Sequence, residues 1–214
     1  MSTITLISTV HEEMGKCNAD ELCAILEKIR PEIVFLEALE KTYSNYDKVR
    51  FTAFGVYHKK LEIKTIQKYG LSSTYKYVPL LDNGLSDSFQ KKNDFLCRKN
   101  QHKKMLNDFN LLAKEQGFLF LNSAKSIGLQ AEMRTFEYRL LLENKLNDAV
   151  DDDIDAYENS MLRNIYSYCR NNQFDKAVFL CGVAHRRSII KKIESLSSKH
   201  KIDLNWVIYG NEIV

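Results

Sequence analysis

The chain alternates short apolar runs with longer segments in which apolar residues return every three or four positions. This is the pattern of buried parallel strands joined by crossover helices. Runs at 4–10 (ITLISTV), 32–36 (EIVFL), 77–81 (YVPLL) and 177–181 (AVFLC) predict strands, 204–209 (LNWVIY) predicts another, and 117–121 (GFLFL) is a further candidate. Between the first two runs, Leu22, Ile25, Leu26 and Ile29 recur at helical spacing and predict a helix over 19–29, with Asn18 as its N-cap and Glu21 completing a capping box. Pro31 ends that helix, because the residue before a proline is driven out of the helical region. Pro79 removes a ladder donor from the third run and places it at a sheet edge.

A long stretch between the third and fourth runs predicts helices near 89–115, 129–146 and 154–171. It is too long for a simple crossover. The expectation is a single α/β domain over 1–214, with a mostly parallel central sheet flanked by helices and a helical insertion at about 86–172 walling one side of a pocket. Asp151, Asp152, Asp153 and Asp155 stand where the last of these helices begins, and carboxylates there favour the positive end of the helix dipole. A calcium loop would also need a glycine and a terminal glutamate that this stretch lacks.

Composition adds limits. No apolar stretch approaches the roughly 18 residues of a membrane span, and the N-terminal MSTITLISTV has no basic leader, so a cytoplasmic protein is expected. Cys17, Cys23, Cys97, Cys169 and Cys181 lack the spacing of a zinc site or disulfide framework and read as reduced thiols, with Cys181 buried. A net charge of +3 falls short of a nucleic-acid binder. The densest basic stretch holds Lys91, Lys92, Arg98, Lys99, Lys103 and Lys104 and reads first as a solvated helix face.

Ligands of open parallel sheets bind beyond the carboxyl ends of the strands, so the polar residues that follow each run are the ones to inspect. The first run leads into His11, Glu12 and Glu13, the second into Glu37, the third into Asp82, and the fourth into Gly182 and His185. Two histidines and two carboxylates on one edge suit either a divalent metal such as zinc, manganese or cobalt, or an acid/base pair working on bound water. Glu158 lies within the apolar stripe formed by Ile154, Tyr157, Met161, Ile165 and Tyr168, where a carboxylate needs a partner. It is either a pocket residue or paired in the core. His58, His102 and His200 sit in charged segments and read as surface residues. The phosphate-binding glycine motifs and the G-x-S-x-G nucleophile elbow are missing.

The motifs Ser8-Thr9-Val10-His11, Val34-Phe35-Leu36-Glu37, Arg163-Asn164 and Gly182-Val183-Ala184-His185 resemble, in order and spread, the superfamily of TraB/PrgY proteins, Tiki proteins, erythromycin esterases and ChaN-like proteins. Ser8 departs from the glycine that opens the first G-x-x-H motif there. Arg163 falls opposite the apolar stripe of its helix. The resemblance implies a site at the strand carboxyl ends and an activity among metal-dependent peptidase, esterase-like hydrolase and ligand binder.

The first functional expectation is a hydrolase of small-molecule or peptide substrates. His11, Glu37 and His185 hold a metal or activate water, Arg163 and Asn164 stabilise the oxyanion, Asp82 supports them, and Glu12 is a secondary candidate base. The second is a non-catalytic binder of a haem-like or other small molecule, with eleven tyrosines available to line a pocket. The third, nucleic-acid action through the basic stretch, ranks last.

Overall fold

The computed structural model describes residues 2–39, 59–84, 86–146, 150–197 and 204–210. Strands β1 (Ser2–Thr9), β2 (Ile33–Leu39), β3 (Lys76–Leu81), β4 (Lys176–Gly182) and β5 (Leu204–Ile208) form one parallel sheet in the order β3-β2-β4-β1-β5. β3, with Pro79, is an edge strand.

Both faces of the sheet are covered, and the period-2 alternation of the strands sorts their side chains between two cores. Ile7, Val34, Leu36, Val178 and Leu180 point to one face, against α1 (Ala19–Ile29), α2 (Leu61–Tyr69), the later part of α4 (Asn100–Leu121) and Met133 of α5 (Ala124–Glu143). Ile4, Leu6, Phe35, Phe179 and Cys181 point to the other, against α6 (Val150–Asn171) and α7 (Arg186–Ser197). The helices that follow β1 and β2 therefore lie on one face, and α7, which follows β4, lies on the other. β4 sits between β1 and β2, so the chain reverses direction around the central strand, and a crevice opens at such a switch point.

α1 is capped as the sequence predicts, with the Asn18 side chain accepting from the Glu21 amide at 3.0 Å. Elsewhere the elements differ from expectation. Residues 117–121 are the last turn of α4 and not a strand. Gly117 kinks the helix at φ +67°, where a Cβ would sit 3.1 Å from the Lys16 carbonyl oxygen, and Phe118, Phe120 and Leu121 bury themselves from a helical backbone. The helix expected over 89–115 is two, α3 (Asp87–Cys97) and α4, separated at Arg98 and Lys99. α2 was not expected. His102 is buried rather than superficial, with Nε2 2.9 Å from Glu137. His58 and His200 lie outside the described residues. Of the helices between β3 and β4, α6 packs on one face of the sheet, and the later part of α4 with Met133 of α5 packs on the other. All five cysteines are free, Cys17 and Cys181 buried. No described helix is long and apolar enough to cross a membrane.

Candidate functional site at the strand ends

Three adjacent strands deliver the site. In the parallel register Thr9 lies level with Gly182 and Leu36 with Leu180, so β1, β4 and β2 reach the carboxyl edge together. Their next residues are the ones that carry chemistry. A Cβ on Gly182 would stand 3.2 Å from Glu37 Oε2, 3.7 Å from His185 Cδ2 and 3.9 Å from His11 Cε1. The three side chains picked out in the sequence thus surround one backbone position, and a bare glycine makes room for them.

Glu37 is fixed from both sides. Its Oε2 accepts the Gly182 amide at 2.7 Å, and its Oε1 accepts the Tyr157 hydroxyl at 2.9 Å. Burial, with the Glu37 charge adding to it, pushes the Tyr157 phenol up, so this group stays a proton donor. The Tyr157 ring stacks on His185 with centroids 5.5 Å apart.

His185 is placed by a short 3-10 turn, Val183–His185, between β4 and α7. Its Nδ1 lies 2.9 Å from Glu158 Oε1 and its Nε2 lies 3.6 Å from Glu37 Oε1. Glu158 is 2% exposed, and its other oxygen accepts from the Ser188 hydroxyl at 2.5 Å, with Lys192 Nζ at 3.7 Å. The carboxylate in the apolar stripe of α6 is therefore partnered by a histidine of the site and by Ser188.

His11 has an equivalent partner that the sequence reading missed. Glu62, in the first turn of α2, is buried and places Oε1 3.2 Å from His11 Nδ1 and 2.8 Å from the Thr9 hydroxyl that donates to it. The first amide of α2, on Leu61, donates to the His11 carbonyl at 2.9 Å, so the helix holds this residue by backbone and ring together. The hydrogen bond to Glu62 raises the His11 pKa above the ordinary 6.5 against the opposing effect of burial, with the charges of Glu62 and Glu37 adding to the rise.

Arg163 and Asn164 are held elsewhere. Arg163 donates to Asp82 at 2.5 Å, and the Asn164 amide donates to Asp82 at 3.0 Å and to the Leu80 carbonyl at 2.9 Å, which ties α6 to the end of β3. Their described bonds do not run to His11, Glu37 or His185, and the Arg163 side chain is 67% exposed. Glu12 is exposed. Glu13 accepts from the Ala19 amide and from Lys64, and so serves the start of α1.

Beside the site, Ser8 occupies the position where the resembling motif has glycine. Its hydroxyl accepts from Arg186 at 3.2 Å. Arg186 is wholly buried and also donates to Asn122 Oδ1, to the Asn122 carbonyl and to the Tyr209 carbonyl, all of them neutral partners. Burial lowers its pKa to about 10. The Asn122 side chain bonds both the amide and the carbonyl of Ser8. The joint between α4 and α5 is thereby bolted to β1 three residues before His11.

Among the described residues no three His, Cys, Asp or Glu side chains are arranged to share one cation. No protein-family model matches the chain, and no curated protein or solved structure matches it either.

Proposed function

We propose that the chain is a hydrolase that activates water between His11 and His185, with Glu37 as the central carboxylate and an ester or amide as substrate. The observation that carries this reading is the meeting of two histidines and one carboxylate around Gly182, each imidazole backed at Nδ1 by a buried glutamate. A carboxylate behind an imidazole orients the ring and stabilises its charged form. The opposite nitrogen is then left to take a proton from water and return it to a leaving group. The Tyr157 hydroxyl donates to the central carboxylate and, with the Gly182 amide on its other oxygen, fixes the orientation of Glu37. Arg163 and Asn164, bonded to Asp82, are better suited to fixing α6 over the site than to touching substrate.

The donor chemistry of His11, Glu37 and His185 suits zinc, manganese or cobalt, and metal-bound histidines commonly carry such a carboxylate behind the ring. Among the described residues their ligand atoms are not grouped as they would be around one cation.

The test is a panel of ester and peptide substrates, with and without each metal, on the wild type and on His11→Ala and His185→Ala. Each substitution is expected to lower turnover by about 10²- to 10⁴-fold. Wild-type rates in either variant, or no turnover by the wild type in any condition, would remove the reading.

A further inference from the structure

We infer that Glu62 and Glu158 are positioning residues that hold both site imidazoles in the tautomer with the proton on Nδ1, which leaves Nε2 of His11 and of His185 as the ring's base. The inference rests on the hydrolytic reading only for the use made of those two nitrogens.

Donors and acceptors fix where each ring carries its proton. An ionised carboxylate only accepts hydrogen bonds, so a neutral imidazole facing one must put its proton on the facing nitrogen. At His11 that nitrogen is Nδ1, 3.2 Å from Glu62 Oε1. The Thr9 hydroxyl donates to the same oxygen, which fixes the carboxylate and leaves a second lone pair for the ring. At His185 two carboxylates compete, and distance decides between them. Glu158 stands within hydrogen-bond reach of Nδ1 at 2.9 Å, whereas Glu37 is beyond it from Nε2 at 3.6 Å. Glu158 cannot turn away, because Ser188 holds its second oxygen. Two helices on opposite faces of the sheet, α2 and α6, thus impose the same tautomer on two rings from different strands. It is the reverse of the Nε2-protonated form that an unrestrained histidine favours in water.

The consequence is that each ring beside Gly182 keeps an unprotonated nitrogen, that of His185 3.6 Å from Glu37 Oε1. Such nitrogens are complementary to a ligand that offers protons, as water, a hydroxyl or an amine does.

The experiment is a long-range proton–nitrogen correlation of the imidazole rings in the full chain labelled with nitrogen-15 histidine, recorded at alkaline pH. His11→Gln and His185→Gln assign the signals. Both rings are expected to carry the proton on Nδ1 in the wild type. Glu62→Gln, which keeps an acceptor oxygen, should retain that state at His11. Glu62→Leu should shift His11 towards the Nε2-protonated form and leave His185 as it was. A wild-type ring protonated on Nε2, or a His11 tautomer indifferent to Glu62→Leu, overturns the inference. The expected tautomers in a chain with no turnover would remove the hydrolytic reading and leave the positioning roles standing. Turnover with Nε2-protonated rings would do the opposite.

Discussion

The two histidine–glutamate pairs share a design and differ in their surroundings. His185 and Glu158 are enclosed, with side chains 11% and 2% exposed, and Glu158 is met by His185, Ser188 and Lys192. The His11 side chain is 54% exposed, although Glu62 behind it is buried. One pair is a finished piece of the interior, and the other is a buried carboxylate holding a ring in the open. A site that needs both a fixed base and access for substrate divides the tasks in this way. The rigid partner is built where α6 meets α7, and the accessible one where β1 runs into a loop.

That contrast sets the order of the expected effects. Glu158→Leu orphans the buried His185 ring nitrogen and the Ser188 hydroxyl, while Lys192 keeps Asp155 and Asn159, and each unmade buried hydrogen bond costs about 1–3 kcal/mol. Chemical denaturation should report a loss of that size, with Glu158→Gln recovering part of it. Glu62→Leu leaves the Thr9 hydroxyl its 3.4 Å bond to the Cys181 carbonyl and frees one ring nitrogen on a half-exposed side chain. The same measurement should give a smaller loss, no more than the cost of one such bond. Equal losses in the two variants would erase the distinction.

A finer test uses pH. The folded-state pKa of His11 is raised above 6.5, so its pairing with Glu62 is fully stabilising below that value and is lost as pH rises through the folded midpoint. Because the ring is half exposed and screened by solvent, the amplitude should be no more than about 1 kcal/mol. Stability profiles of wild type and Glu62→Leu should converge on the alkaline side of the His11 midpoint by that amount. Profiles that run parallel throughout would show the pair to be uncoupled.

Much of this was legible in the chain. Parallel strands announce themselves as unbroken apolar runs, and the residues after them must share one edge, which is why His11, Glu37 and His185 could be named together. Glu158 was visible as a carboxylate within an apolar stripe. Glu62 carries the same signal, since it lies four and seven residues before the buried Ile66 and Tyr69, but α2 had not been recognised and there was no stripe to place it in. The 117–121 run misled because a short aromatic and aliphatic segment satisfies a strand and a buried helical turn equally well. What decided it was Gly117 passing close to Lys16, a contact made by residues 101 positions apart. The partners of Arg163 and His102 were hidden for the same reason.

The strand order also governs how the molecule can come into being. β1 precedes the other described strands, yet its neighbours in the sheet are β4 and β5, so among the described strands it has no partner until the chain has been extended past Lys176. β2 and β3 can pair early, because both are present once the chain has passed Leu81. The first strand must wait for the elements that cover Ile4 and Leu6, a long-range closure of the kind that slows folding and invites association with other chains. Since His11 leaves β1 and His185 leaves β4, the same late event that completes the sheet also assembles the site, and an incomplete chain would contain neither.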